Sequence, residues 1–231
     1  MKTQNAEFQN YERELKYLLT EGKLSLEEIL DFLKKHGYEL EETKQKEKHE
    51  AYHDDKKLTL INRGDVLRSS KHVTDGFSAF MFKQNVSDTN KPYVSKLELG
   101  TGQYKTRFNS LEEYVAALGL DLDIQSDPVL YARLMRDTAV VARSELDRLL
   151  ISLDNVDYFK TPDAPITHEK MLEIEDWVNP NTVDVNYDND AHLCGVNELL
   201  LGGGLPIRLT KHTKPYRGCK VLMEEMLNEK E

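Results

Sequence analysis

One short stretch near the start of the chain constrains the fold more than any other. "YERELKY", residues 11 to 17, places Glu12, Glu14 and Lys16 two positions apart. On a strand, successive side chains point to opposite faces, so these three charged side chains would share one face. On a helix the same stretch would be an ordinary charged turn. The later stretches of the chain therefore have to decide between the two interpretations.

Several later stretches repeat the alternation of charged and apolar residues. Residues 95–100 alternate Lys96 and Glu98 with leucines, and "MLEIEDW" (171 to 177) alternates Glu173 and Glu175 with apolar residues. Further strands are predicted over residues 76–86, 149–156 and 205–214. An antiparallel sheet with one wet face would explain any single strand. The repeated acidic pairs favour a closed barrel with a charged interior, because interior and exterior residues alternate along every barrel strand.

Four helices are predicted from their caps and their apolar spacing. Ser25 and Glu28 form a capping box, and Ser110 begins a second helix with the same device. Gly37 and Gly119 are placed to end these two helices. Two further helices are predicted over residues 167–172 and 190–201.

Length, charge and cysteine content narrow the class of protein. The 231 residues are predicted to form a single domain, residues 1–231. The net charge of −10 argues against binding a nucleic-acid duplex but allows a local basic pocket. The two cysteines, Cys194 and Cys219, give no disulfide framework, so a reducing, cytoplasmic location is expected. No apolar run approaches the ~20 residues that span a membrane, and no signal-peptide core is visible.

The motifs together resemble the CYTH superfamily, also called triphosphate tunnel metalloenzymes. "ERELK" fits the family's N-terminal Glu-x-Glu-x-Lys signature, "AYHDDKKLTLINRGDVLRSSK" (51 to 71) is similar to its second block, and "TKHTKPYRG" (210 to 218) resembles its C-terminal block. The strands at residues 80–83, 96–99, 131–137, 149–159 and 172–176 resemble its charged strands. The blocks follow the family order and cover most of the chain.

This resemblance implies a fold and an activity. The expected fold is α+β, an eight-stranded antiparallel β-tunnel, that is a closed barrel, with helices packed outside. The expected function is hydrolysis of a small-molecule triphosphate that depends on Mg²⁺ or Mn²⁺. Two alternatives stay open, an adenylate cyclase of the class IV type and a non-catalytic module that binds polyphosphate or nucleotides. The oligomeric state also stays open, with a homodimer as one option.

The resemblance and the chemistry of phosphate together select the candidate site residues. A triphosphate carries about four negative charges, so its site needs several fixed Lys or Arg side chains. The predicted phosphate-binding residues are Lys16, Arg68, Lys83, Arg136 and Lys214, and the further basic candidates are Lys96, Arg133 and Lys211. Mg²⁺ prefers oxygen ligands. The predicted metal ligands are Glu12, Glu14, Glu98, Asp154, Glu173 and Glu175, with Glu14 and Glu173 also predicted to be catalytic.

Two details of the basic positions qualify this set. Arg133 and Arg136 are three residues apart, so a regular strand directs only one of them into the tunnel. The resemblance favours Arg136, because the Arg of the family's strand falls at that position. The family usually has a second luminal Arg where this chain has Ser70, and Lys71 falls on the opposite face. With fewer cations a polyphosphate would bind less tightly, which leaves open a changed substrate or binding without fast turnover.

Overall fold

The computed structural model describes residues 9–20, 24–73, 78–100, 108, 110–144, 147–161, 164–176 and 190–228. The strands are β1 (Gln9–Leu19), β2 (Glu39–His53), β3 (Val66–His72), β4 (Ser78–Asn85), β5 (Val94–Gly100), β6 (Leu130–Ala142), β7 (Arg148–Thr161), β8 (Ala164–Asp176) and β9 (Ile207–Leu209). The helices are α1 (Leu26–Lys35), α2 (Thr59–Arg63), α3 (Leu111–Leu118), α4 (Asp190–Gly202) and α5 (Lys214–Asn228).

Eight antiparallel strands close into a barrel because β1 pairs on both of its sides. Its first half pairs with β5, with Glu12 opposite Lys96, and its second half pairs with β8, with Lys16 opposite Glu173. Between these partners the strand order is β5-β4-β3-β2-β6-β7-β8-β1. The short β9 adds to the end of β1. The predicted α+β class and closed eight-stranded barrel with helices outside are confirmed.

Apolar outward-facing side chains hold the helices against the barrel. Leu15 and Tyr17 of β1 are fully buried, and they lie in one cluster with Ile29 of α1 and Leu193 of α4. A second outer cluster joins α3 to β3 and β4. Each fully buried side chain of this size contributes about 1.5–3 kcal/mol relative to an exposed one. The apolar positions of the alternating strands therefore face out to the helices and the charged positions face in.

The two capped helices begin where their caps predict. The Ser25 hydroxyl accepts a hydrogen bond from the Glu28 amide at 3.2 Å, and the Glu28 carboxylate accepts one from the Ser25 amide at 2.7 Å, which completes the capping box. The Ser110 hydroxyl likewise accepts a hydrogen bond from the Glu113 amide at 3.2 Å and caps α3. Gly119 ends α3 with a φ of 66°, a left-handed conformation that glycine adopts without strain. Helix α4 confirms the prediction over residues 190–201.

The helix predicted over residues 167–172 is wrong. This segment lies inside β8 and pairs with β7, with His168 opposite Asp157. Six residues make a marginal helix on their own, whereas the ladder to β7 satisfies the backbone along the whole segment. At the ends of two predicted strands, residues 76 and 77 and Trp177 lie outside the described residues.

The strand predicted over residues 205–214 is mostly wrong. Only Ile207–Leu209 forms a strand, and the helix α5 begins at Lys214. The missed signal is Thr213 ahead of Pro215. The Thr213 hydroxyl accepts from the amide of Tyr216, and proline is favoured in the first turn of a helix. Among the described helices, none is both long enough and apolar enough to cross a membrane.

Candidate active site

The interior of the barrel is divided into two halves. We use "apolar half" for the inward-facing cluster at the end of the barrel that α5 covers, which comprises Tyr52, Val66, Leu130, Ala132, Leu134, Val156 and Tyr158 together with Cys219 of α5. We use "charged half" for the remainder, where seven cations and seven acids meet within the described residues. The cations are Lys16, Lys48, Arg68, Lys83, Lys96, Arg136 and Lys214, one from each of β1 to β6 and one from α5. The acids are Glu12, Glu14, Glu50, Glu98, Asp154, Glu173 and Glu175.

Strand β1 shows how the sequence produces the charged half. Glu12, Glu14 and Lys16 face the interior, whereas Leu15 and Tyr17 belong to the outer core. Glu14 and Lys16 are 3% and 4% exposed. Isolated charges are very costly to bury, so such positions are stable only when each charge has a partner. The alternation in "YERELKY" is therefore the local cause of a buried ion-pair network.

Glu173 is the centre of one part of this network. Its carboxylate accepts from Lys16 at 2.7 Å, from Lys214 at 2.5 Å and from Arg136 at 2.8 Å. Arg136 also forms a two-pronged contact with Asp154, with both distances 2.6 Å. Burial alone would raise the pKa of Glu173, but Lys16, Lys214 and Arg136 outweigh it and lower that pKa well below its usual value. Glu173 is therefore ionised throughout the neutral range.

Lys83 is the centre of a second part. Its ammonium contacts Glu12 at 2.5 Å and Glu98 at 2.6 Å. Burial opposes the charged form of Lys83, but the two carboxylates outweigh it and raise its pKa. Between the two parts, Glu14 contacts Lys16 at 2.5 Å. The two parts thus form one continuous network across the barrel interior.

Three of the predicted metal ligands lie together. Carboxylate oxygens of Glu12, Glu14 and Glu175 lie within 4.8 Å of one another. Burial, followed by the charges of Glu12 and Glu14, raises the pKa of Glu175 to about 8. Burial also raises the pKa of Glu14, but Lys16 and further cations outweigh it and lower that pKa to about 2. Three converging carboxylates that repel one another form an environment that a hard divalent cation would neutralise.

The other three predicted ligands lie apart from this group. Glu98 contacts Lys83, Asp154 contacts Arg136 and Lys214, and Glu173 contacts its three cations. Their role as ligands stays a prediction. The five predicted phosphate-binding residues line a common cavity of about 60 Å³, namely Lys16, Arg68, Lys83, Arg136 and Lys214. Since this volume holds about two water molecules, the charged side chains occupy most of the interior themselves.

Solved structures with the same barrel exist. The PH1819 protein of Pyrococcus horikoshii aligns with a TM-score of 0.52 and 17% identity over 93% of this chain and 99% of its own. A candidate adenylate cyclase of Bacillus halodurans aligns with a TM-score of 0.52 and 12% identity over 90% of this chain and 97% of its own. The chain shares the closed barrel fold of these two structures. At sequence identities this low, the similarity establishes a shared fold and says nothing about a shared function.

A third solved structure is less similar to this chain. A candidate adenylyl cyclase from Hippeastrum, described as having a dominant triphosphatase activity, aligns with a TM-score of 0.45 and 15% identity over 88% of this chain and 92% of its own. Comparison of the sequence with models of known families and with curated proteins finds no match.

The tunnel of this chain contains two further charged residues that the sequence patterns did not single out. Glu50 accepts from Arg68 at 2.6 Å and from the hydroxyl of Tyr52 at 2.5 Å. Burial, followed by Arg136 and Arg68, lowers the pKa of Lys48 to about 8. The signal was available, because Lys48, Glu50 and Tyr52 alternate in the same way as the first motif. Lys48 and Glu50 lie at the end of the charge-dense stretch "EETKQKEKHE" (41 to 50), and such a run of charges is also typical of a solvent-exposed strand or loop.

The remaining basic candidates are divided between the tunnel and the surface. Arg136 lies in the tunnel, whereas Arg133 is exposed and pairs with Asp157 at 2.7 Å. Lys96 is 2% exposed inside the tunnel, and burial lowers its pKa to about 7. Lys211 lies outside. Ser70, opposite Glu50 on β2, is buried, and neighbouring Lys48 supplies a cation on that side of the tunnel.

Proposed function

We propose that this chain is a metal-dependent triphosphatase that cleaves a triphosphate in the charged half of the tunnel. The observation that carries the proposal is the arrangement of seven cations, from seven different elements, around the carboxylate group of Glu12, Glu14 and Glu175. Fixed cations that surround a small volume suit a compact polyanion, since phosphoryl transfer depends mainly on positioning and on charge neutralisation.

The metal requirement follows from the chemistry of the donor atoms. Glu12, Glu14 and Glu175 would hold Mg²⁺ or Mn²⁺, both of which prefer carboxylate and phosphate oxygens. When bound, the ion would neutralise phosphate charge and polarise the phosphoryl group that is attacked. The ionised Glu14 supplies a permanent ligand charge, whereas Glu175 has to release a proton to contribute its own.

The tunnel cations bind the substrate by exchanging their carboxylate partners for phosphate oxygens. Lys16, Lys83, Lys214 and Arg136 hold carboxylates at 2.5–2.8 Å, and the cavity between them is small. A triphosphate with about four negative charges is accommodated when these side chains turn from carboxylates to phosphate oxygens. The carboxylates keep the cations aligned before the substrate arrives, so little rotamer entropy is lost on binding.

Glu173 and Glu14 are the proposed catalytic carboxylates. Three cations keep Glu173 ionised, so it serves as an anion that aligns Lys16, Lys214 and Arg136 for the phosphates rather than as a proton donor. Glu14 lies in the carboxylate group and is also ionised, so it can orient an attacking water by accepting its hydrogen bond.

The substrate and the reaction are tested together. The protein is incubated with tripolyphosphate, thiamine triphosphate or ATP in the presence of Mg²⁺ or Mn²⁺, and orthophosphate, pyrophosphate and cyclic AMP are measured. The proposal expects orthophosphate from at least one substrate, and none when EDTA removes the metal. Formation of cyclic AMP and pyrophosphate from ATP would show that the protein is a cyclase and not a hydrolase. Binding without any product would leave a binding module.

The site assignment is tested by removing carboxylate charge at the metal group. Glu12→Gln and Glu14→Gln should each lower metal-dependent turnover at least about 100-fold, because each removes an anionic ligand while keeping the shape of the side chain. Glu27→Gln, on the exposed face of α1, is the matched control and should leave turnover unchanged. Circular dichroism of each variant verifies the fold. Unchanged metal dependence in both tunnel variants would disprove the assignment.

A further inference from the structure

A surface cleft lies outside the tunnel, between the end of β1, the start of β8, the strand β9 and the first turns of α5. It has two lobes of about 570 Å³ and 590 Å³, which share Leu18, Glu169, Arg208 and Arg217. Volumes of this size are typical of small-molecule sites. Within the described part of the chain, none of the residues that line the cleft also lines the tunnel cavity.

The cleft is basic although the chain carries a net charge of −10. Its cations are Lys170, Arg208, Lys211, Arg217 and Lys220, and its acids are Glu169 and Glu224. Glu169 is already engaged, because it accepts two hydrogen bonds from Arg217. Arg208 is exposed on β9, and its guanidinium makes no hydrogen bond or ion pair with the described residues. It is therefore available to an anion.

A flat aromatic surface accompanies these cations. The rings of His212 and Tyr216 stack with their centroids 4.4 Å apart and their planes 10° from parallel. Burial, followed by the charges of Arg217 and Lys220, lowers the pKa of His212. The imidazole is therefore neutral at neutral pH and can stack with a base without adding a charge of its own. Aromatic rings beside Arg and Lys are the usual means of binding unpaired bases and their phosphates.

We propose that this cleft is a nucleotide-binding site, in which Arg208, Lys211 and Lys220 contact the phosphate and the His212–Tyr216 pair stacks with the base. The ligand chemistry is a 5′-phosphorylated nucleotide, either free or at the end of a single-stranded RNA. The site does not depend on the reaction in the tunnel. An acidic peptide would use the cations but would gain little from the aromatic pair.

The test measures binding of AMP and of a 5′-phosphorylated RNA hexamer to the full chain by isothermal titration calorimetry. EDTA and low salt are used, so that the carboxylate group of the tunnel holds no metal. Arg208→Glu should weaken the binding of either ligand at least about tenfold, and Lys220→Glu provides a second charge reversal at an exposed position. Lys56→Glu makes the same charge change at an exposed residue that does not line the cleft and should have no effect.

Three further comparisons decide the outcome. His212→Ala should weaken AMP binding but not the binding of orthophosphate, since only AMP carries a base to stack. The tunnel variant Lys83→Met, once circular dichroism shows that it is folded, should leave AMP affinity unchanged, which separates this site from the tunnel. If the protein binds AMP but not the RNA hexamer, the ligand is a free nucleotide. If it binds both, the 5′ end of a single-stranded RNA is also a ligand. Loss of AMP binding in Lys83→Met, unchanged binding in both charge reversals, or equal affinity for orthophosphate and AMP would each overturn the proposal.

Discussion

Leu134 and Arg136 project from neighbouring inward positions of β6 into the same barrel, one into the apolar half and the other into the charged half. Leu134 is fully buried among side chains that need no partners, and its packing stabilises the fold directly. Arg136 needs both Asp154 and Glu173 to compensate for its desolvation. A buried ion pair contributes little net stability compared with apolar packing, but it is very sensitive to the loss of one member.

The difference assigns separate tasks to the two halves. The apolar half, covered by α5, supplies packing energy at one end of the barrel. The charged half uses part of that stability to hold cations and carboxylates in a largely buried, fixed arrangement, in which electrostatic interactions are strong. The two halves meet at Lys214, where α5 begins and its side chain contacts Asp154 and Glu173. The helix that closes the apolar half thus also completes the charged one.

The largest effect on stability is expected from breaking the charged network at its centre. Glu173→Gln leaves Lys16, Lys214 and Arg136 with one fewer carboxylate, and it should lower the free energy of unfolding by about 3–5 kcal/mol. Urea denaturation at pH 7 measures this. The control Glu41→Gln breaks the surface pair with Arg148 and should cost at most about 1 kcal/mol. Equal losses in the two variants would mean that solvent already relieves the tunnel charges.

A truncation in the apolar half should cost stability without affecting the chemistry. Leu134→Ala leaves a cavity among fully buried side chains, so the free energy of unfolding should fall by about 2–5 kcal/mol. Triphosphatase turnover per folded molecule should stay within about twofold of the wild type. A parallel loss of turnover at a temperature where the variant is fully folded would show that the two halves are mechanically coupled.

The first sequence motif predicted the charged half well because a strand has a period of two. Once Glu12, Glu14 and Lys16 share a face, the same rule places Glu173 and Glu175 together and allows only one of Arg133 and Arg136 in the tunnel. The family resemblance favoured Arg136, and Arg136 is the one that lies there. The strand pairing itself could not be predicted in this way. That Glu175, and not Glu98 or Asp154, joins the Glu12–Glu14 group depends on barrel closure, which brings Glu14 opposite Glu175.

The apolar half was harder to predict. Leu130, Leu134 and Val156 face inward, where a uniformly polar tunnel would place charged residues. The alternation over residues 205–214 predicts a strand up to the point where the covering helix α5 begins, although Thr213 and Pro215 mark a helix start. An isolated segment does not show which end of a barrel it will cover, so the apolar half did not follow from local patterns, even though the start of its covering helix did.

The contact between α5 and the barrel gives a smaller, sharper test. A Cβ atom at Gly218 would lie 2.5 Å from Cδ2 of Leu130 and 2.7 Å from Cδ1 of Tyr158. Gly218→Ala should therefore destabilise the fold by about 1–3 kcal/mol through overpacking. Gly195→Ala in α4 meets no atom within 4 Å and should instead stabilise it by about 0.5–1 kcal/mol. Thermal unfolding of both variants shows whether each substitution lowers or raises the stability of the fold. Stabilisation by both would mean that α5 is not tightly packed.

The smallest effect concerns pH in the metal-free charged half. The pKa of Glu175 is raised from 4.5 to about 8, so the folded state keeps a proton that the unfolded state releases. The stability due to this proton is complete below pH 4.5 and is lost as the pH rises through 8. Between pH 7 and pH 8 the wild type should lose about 1 kcal/mol relative to Glu175→Gln, which cannot ionise.

Thermal unfolding in EDTA at several pH values measures that difference. Because the comparison is between two proteins that differ at one side chain, titration of the other groups largely cancels. Addition of Mn²⁺ at pH 8 should raise the melting temperature of the wild type more than that of Glu175→Gln, since the ion would favour the ionised carboxylate. A pH-independent difference between the two proteins would show that Glu175 is already ionised at neutral pH, and that the neighbouring Lys83 outweighs the repulsion from Glu12 and Glu14.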